Sequence, residues 1–162
     1  MDHLPQKKLL TLCLWTRGDH VLLGYKKRGF GEGRWNGFGG KVESGESIAE
    51  AARREMYEEA GVHITQMEMR GVLSFFYTDE AKVHEVHLFH VTAAEGEPVE
   101  TEEMRPQWFA WTDIPFGECW SDDAFWMPHF LRENIFVRSF GSMVNKKLFV
   151  TRYKRLQKIR SL

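Results

Sequence analysis

Apolar and polar positions alternate along the chain on two scales, one helical and one extended. Between residues 48 and 60, Ile48, Ala52, Met56 and Ala60 fall on one arc at about 100° per residue, which predicts a single amphipathic helix. Its ends are marked as well: Ser47 and Glu50 form a Ser-x-x-Glu capping box, and Gly61 supplies the left-handed residue that ends helices. Elsewhere the apolar residues come in short runs. LLTLCLW at 9 to 15 and HVLLGYKK at 20 to 27 predict a hairpin turned by Thr16-Arg17-Gly18-Asp19. GVLSFFY at 71 to 77, HEVHLFHVT at 84 to 92 and WFAWT at 108 to 112 predict further strands. A helix from about Asp122 to Arg132 and a closing hairpin of 135 to 140 with 147 to 153 complete the set.

The helix at 48 to 60 carries a conflict, because Glu55 and Glu59, four apart, lie at or within its apolar arc. A carboxylate at such a position is normally paired or bound to a metal. Oxygen ligands next to one another suit a hard divalent cation held between protein and phosphate better than they suit zinc, which favours His and Cys. Glu58 is a further ligand, a holder of a water or an ordinary helix ion-pair partner, and Arg54 is the natural counter-ion for orienting a glutamate. Ordinary helix ion pairing accounts for Glu50 and Arg53, but not for Glu55 and Glu59.

Immediately upstream, RGFGEGRWNGFGG at 28 to 40 holds six of the chain's 14 glycines. Glycines let a backbone come close to a ligand, and this spacing matches neither a Walker loop nor a dinucleotide fingerprint. Phe30, Trp35, Asn36 and Phe38 lie among them, suited to stacking on a flat ring or, for Trp35 and Phe38, equally to the core. Further along, CWSDDAFW at 119 to 126 sets Asp122 beside Asp123 among aromatics. Both facing one pocket, they would share a proton and both donate and accept hydrogen bonds; as a helix N-cap they would stay charged at the positive end of the dipole and only accept.

From Gly40 onward, Gly40, Glu46, Arg54, Glu55, Met56, Glu58, Glu59, Gly61 and Val62 match the Nudix box, G-x5-E-x7-R-E-U-x-E-E-x-G-U with U apolar. The chain therefore resembles the Nudix hydrolases. The flanks KKRGFGEGRWNGFGGKV, EEMRPQWF and IPFGECWSDDAFWMPHFL resemble, more narrowly, the eukaryotic oxidised purine nucleoside triphosphate hydrolases, the 8-oxo-dGTP diphosphatases. The resemblance implies an α/β/α sandwich around a mixed sheet. It implies Mg²⁺-dependent hydrolysis, with Mn²⁺ able to substitute, of 8-oxo-dGTP or 2-hydroxy-dATP to the monophosphate and pyrophosphate, which keeps mutagenic nucleotides out of DNA. It assigns metal and catalysis to the Gly40 carbonyl, Glu55, Glu58, Glu59 and Glu103, the last either ligand, base or solvated. Substrate contacts then fall to Thr11, Lys26, Asn36, Asp122 and Asp123, with Phe30, Phe75, Trp120 and Trp126 either walls that sandwich the purine face or equally core residues. His84 departs from the apolar residue the resemblance leads one to expect. Other readings are a Nudix hydrolase of dinucleoside polyphosphates, nucleotide sugars or capped RNA, and a non-catalytic nucleotide-binding module.

Size and charge bound these readings. At 162 residues and 19.0 kDa the chain reads as one domain, 1 to 162, with the closing strand and a basic end from about 145. Lys plus Arg is 22 against 23 Asp plus Glu, so a net charge of −1 gives no bulk attraction to nucleic acid or anionic membrane. Cys13 and Cys119 make no disulfide scaffold, and the leading MDHLPQKK is polar, so a cytoplasmic setting is the expectation. The expected partner is the small-molecule nucleotide substrate, with no stable nucleic acid and no membrane, and the expected state is a monomer.

Overall fold

The computed structural model describes residues 5–77, 81–132, 135–144 and 147–158, the last two segments as backbone. In chain order the elements are β1 (Gln6–Arg17), β2 (His20–Lys26), β3 (Trp35–Asn36), α1 (Ile48–Ala60), β4 (His63–Tyr77), β5 (Lys82–Glu95), β6 (Met104–Ala110), α2 (Asp123–Arg132), β7 (Ile135–Val144) and β8 (Lys147–Lys158). They form one mixed sheet in the order β3-β2-β1-β5-β4-β7-β8, with β6 on the other edge of β2. The β1/β5 and β4/β7 pairs are parallel and the remainder antiparallel.

Alternation along β1 builds two cores. Leu12 and Leu14 pack with Leu73, Leu88, Trp126, Met127 and Phe130 under α2. Cys13 and Trp15 pack with Phe38, Ala52, Met56, Phe89 and Val91 under α1. A helix on each face makes the α/β/α sandwich. Truncating Met56, which is fully buried, would cost about 2–5 kcal/mol.

The helix α1 begins and ends where its caps dictate. Ser47 accepts from the Glu50 N–H, Glu50 returns the bond to Ser47 N–H, and Gly61 closes the helix at φ 71°. Hydropathy located the strands less well, since pairing rather than apolarity sets their ends. The β4 and β5 strands run well past the predicted 71 to 77 and 84 to 92, accommodated by bulges between Ile64 and Met67 and between Met69 and Gly71. The strand predicted at 108 to 112 starts instead at Met104, because β2 pairs it from Lys26 back to His20. Trp111 and Thr112 leave it for a 3₁₀ turn, the Trp111 N–H donating to the Asp19 carbonyl. Both strands of the closing hairpin exceed the predicted lengths. The basic side chains after Glu133 lie outside the described residues.

The Gly-rich segment is not a free loop. β1 and β2 pair only from Trp15 to Arg17, and residues 35 to 42 fill the gap as they splay, joining β2 through Trp35 and Asn36 and β1 through Phe38 and Lys41. A Cβ on Gly39 would lie 1.8 Å from the Thr11 carbonyl oxygen, so only glycine allows this approach.

Candidate active site

The wedge delivers Gly39 and Gly40 to the buried face of α1. Glu59, 3% exposed, accepts from the Gly39 N–H at 3.1 Å and faces the Lys26 ammonium at 3.6 Å. Burial pushes its carboxyl up to about 8, with Lys26 opposing and Glu55 adding to the rise. Glu55, half-buried, is also raised by burial, against Arg54. Gly40 is so close to it that a Cβ there would meet Glu55 Oε1 at 2.4 Å.

Arg54 is the hub of the helix face. Its guanidinium donates to both oxygens of Glu46 at 2.6 and 3.0 Å, to Glu55 at 2.9 Å, to Glu58 at 3.2 Å and to the Lys41 carbonyl at 2.9 Å. The bidentate grip on Glu46 fixes the guanidinium, whose single bond to Glu55 aims that carboxylate towards Gly40 and whose bond to the Lys41 carbonyl anchors the wedge to α1. Glu58 is exposed at the rim. Glu103 reaches the same region from the start of β6, between Lys26 and Arg28, each at 3.4 Å.

Among the described residues no three carboxyl, His or Cys groups already converge as a metal cluster. The donor chemistry nonetheless fits a hard cation. Burial raises both neighbouring carboxyls, Glu59 to about 8, a backbone carbonyl adjoins them, and a lysine ammonium faces Glu59 and Glu103. A divalent ion is the partner that would oppose that rise and favour the charged form of both glutamates.

From these carboxylates a cleft of about 600 Å³ runs to the N-terminus of α2 and takes in Thr11, Lys26, Phe30, Asn36, Phe75, Trp120, Asp122 and Asp123. Both aspartates are buried, at 4% and 3% exposure. Burial raises Asp122 to about 6; burial and the Asp122 charge raise Asp123 well above the usual carboxylate range. Asp123 Oδ1 accepts from the Trp126 indole N–H at 3.1 Å, whereas its Oδ2 and the Thr11 hydroxyl are buried with no partner. Asn36 Oδ1 accepts from the Gly37 N–H at 2.9 Å, which leaves its amide nitrogen for the cleft.

Not every predicted wall is a wall. Trp126 is 1% exposed in the core under α2 and acts on the cleft only through Asp123. Trp35 and Phe38 resolve as core residues, Trp35 edge-on to Tyr25 and Phe109, Phe38 beneath α1. Phe30, 66% exposed, stacks on Trp120 with centroids 5.2 Å apart. His84 does line the cleft, its ring 4.3 Å from that of Tyr77. Sequence reasoning missed Tyr77, whose two-residue offset from Phe75 along a strand was the available signal, and the Gly39 N–H and Lys41 carbonyl, for which side-chain chemistry offers none.

The family model for the NUDIX domain matches residues 7–130. Over 133 residues the chain is 49% identical to the oxidized purine nucleoside triphosphate hydrolase of Danio rerio, an overlap that covers 82% of this chain and 85% of that protein. The protein of the same name from Mus musculus is 46% identical over 137 residues, covering 85% and 88%. Among solved structures, a MutT protein from Bacillus halodurans superposes with a TM-score of 0.78 at 27% identity, covering 91% of this chain and 97% of that one.

Proposed function

The chain belongs to the Nudix family of hydrolases, and from that premise we propose that it cleaves oxidised purine nucleoside triphosphates to the monophosphate and pyrophosphate, keeping mutagenic bases out of the nucleotide pool. The observation that carries the substrate reading is the pair of orphaned polar atoms, Asp123 Oδ2 and Thr11 Oγ1, buried in one cleft with Asp122. Buried polar atoms without partners cost about 1–3 kcal/mol each, a cost that a hydrogen-bonding ligand removes. A guanine-type edge sets an acceptor, O6, beside a donor, N1–H. One protonated and one ionised carboxyl answer both. Phe75, Trp120 and Phe30 supply the flat apolar surfaces for the ring, and the Asn36 amide adds a donor.

Mg²⁺, for which Mn²⁺ can substitute, would be held by the Gly40 carbonyl, Glu55 and Glu59, with Glu58 and Glu103 at the rim; bound there, it neutralises phosphate charge and polarises the reacting phosphoryl group. The chain's own groups do the rest. The Lys26 ammonium turns from Glu59 and Glu103 to the triphosphate, Arg54 keeps Glu55 aimed, and Glu103, half-buried at the rim, takes the proton of the attacking water. We further read the protein as a cytoplasmic monomer without stable nucleic-acid or membrane partners. No helix among the described residues is long and apolar enough to cross a membrane.

The test is a turnover screen with Mg²⁺ against oxidised, methylated and normal purine nucleoside triphosphates, a dinucleoside polyphosphate, ADP-ribose and capped RNA. Fast release of pyrophosphate from 8-oxo-dGTP or 2-hydroxy-dATP, and slow release from dGTP and dATP, is the expected result. Equal cleavage of normal nucleotides or of the other classes refutes the sanitising role.

A further inference from the structure

Trp120 lines the cleft three residues before α2 begins, and three groups from the segment between β2 and β3 hold it. The Arg34 guanidinium lies 4.4 Å from its ring centroid, the Phe30 ring stacks at 5.2 Å and 26°, and Gly31, at φ 86°, brings backbone so near that a Cβ would sit 3.3 Å from the indole Cζ2. Arg34 is exposed, yet it pairs with no carboxylate among the described residues, although the same segment's Lys27 and Arg28 reach Glu100, Glu102 and Glu103. Its backbone is tied to the sheet. The Arg34 carbonyl accepts from the Lys26 N–H at 2.9 Å, its own N–H donates to the Gly31 carbonyl at 3.1 Å, and β3 begins at the next residue. The Trp120 carbonyl in turn accepts from the Asp123 N–H at 3.1 Å, so the indole and the first turn of the acidic pair move together.

We infer that Arg34 is a positioning residue for base recognition: it spans from the sheet edge to Trp120 and holds the indole at the angle the incoming ring requires. An arginine does this where another apolar residue would not, because a guanidinium lies flat over an indole face and remains hydrated at its edge. The inference rests on the proposed role of Trp120 as a wall of the base pocket. Arg34 touches neither the metal-binding glutamates nor the reacting phosphates, so its effect belongs in KM and not in kcat.

The experiment measures kcat and KM for the nucleoside triphosphate turned over best, with Arg34→Met, Arg34→Lys, Trp120→Leu and the double variant Arg34→Met/Trp120→Leu, alongside Tm. Arg34→Met should raise KM by about three- to tenfold, the range of a cation–π contact, with kcat unchanged and Tm lowered by no more than a few degrees, since the contact also exists in the free protein. Arg34→Lys should recover part of that loss, since the cation is retained. In the Trp120→Leu background, Arg34→Met should change KM by less than about twofold, the non-additivity of residues that act through one contact. An unchanged KM in Arg34→Met, or the same rise with and without Trp120, overturns the inference. Trp120→Leu alone separates the two levels: a raised KM keeps the base-pocket reading whatever Arg34 does, and an unchanged KM removes both.

Discussion

Replacing Asp122 by Asn tests the base-reading pair where the structure makes it most asymmetric. On the proposed reading Asp122, raised to about 6 by burial, is the acceptor, and Asp123, which burial and the Asp122 charge raise well above the usual carboxylate range and which is bonded through Oδ1 to Trp126, is the donor through Oδ2. Asp122→Asn puts an amide where an ionised acceptor met a purine N–H. The loss of such a charged hydrogen bond is worth about 1.5 to 3 kcal/mol, or roughly 10- to 150-fold in kcat/KM. Asp123→Asn should cost less, because an amide N–H replaces the carboxyl O–H and the Trp126 bond survives. The assay is kcat/KM for 8-oxo-dGTP and 2-hydroxy-dATP from pH 5 to 8, with Tm. In the wild type, kcat/KM for the oxidised guanine should fall as pH drops through about 6, where Asp122 gains its proton, and this limb should vanish in Asp122→Asn. The stability sign is the reverse. A carboxyl raised from 3.8 to about 6 contributes most below pH 3.8 and loses that contribution as pH rises through 6, so Asp122→Asn should raise Tm more at pH 7.5 than at pH 5. Equal losses for the two variants, unchanged substrate ratios, or a persisting acid limb in Asp122→Asn would leave the pair as a helix cap and remove it from the site.

The two neighbouring glycines should fail differently. Gly39→Ala drives a Cβ into the Thr11 backbone and should cut Tm or prevent folding, while the nearest atoms to a Cβ at Gly40 are those of the Glu55 carboxylate, so Gly40→Ala should lower Tm less but lose turnover; the opposite ranking in melting and activity measurements would contradict the wedge geometry. Because Glu59 sits at about 8 without a cation, metal binding must expel a proton, so the rise in Tm on adding Mg²⁺ should be larger at pH 8 than at pH 6. Glu59→Gln should abolish that response and lower kcat by more than about tenfold, at least 1.4 kcal/mol of transition-state stabilisation; retained turnover would sink the metal assignment.

What the sequence by itself determined is what depends on near neighbours. The limits of α1 follow from Ser47, Glu50 and Gly61 acting within a few residues, and the spacing of Glu55 and Glu59 sets them on the apolar face whatever the rest of the chain does. The Nudix box is legible for the same reason: Arg54, Glu46, Glu55 and Glu58 meet across one helix and the turn before it. The tertiary structure decided everything that needed partners distant in the chain. Trp35 and Phe38 read equally well as pocket or core until β1 and β2 splayed and the wedge turned both inward. Trp126 moved from wall to support because α2 packs that face against Leu12, Leu14 and Leu88, and Arg34 found Trp120 only when the β2–β3 segment folded over the start of α2. Strand ends at β4, β5 and β6 escaped hydropathy because a strand extends as far as its neighbour can pair with it, and the neighbour is chosen by the sheet.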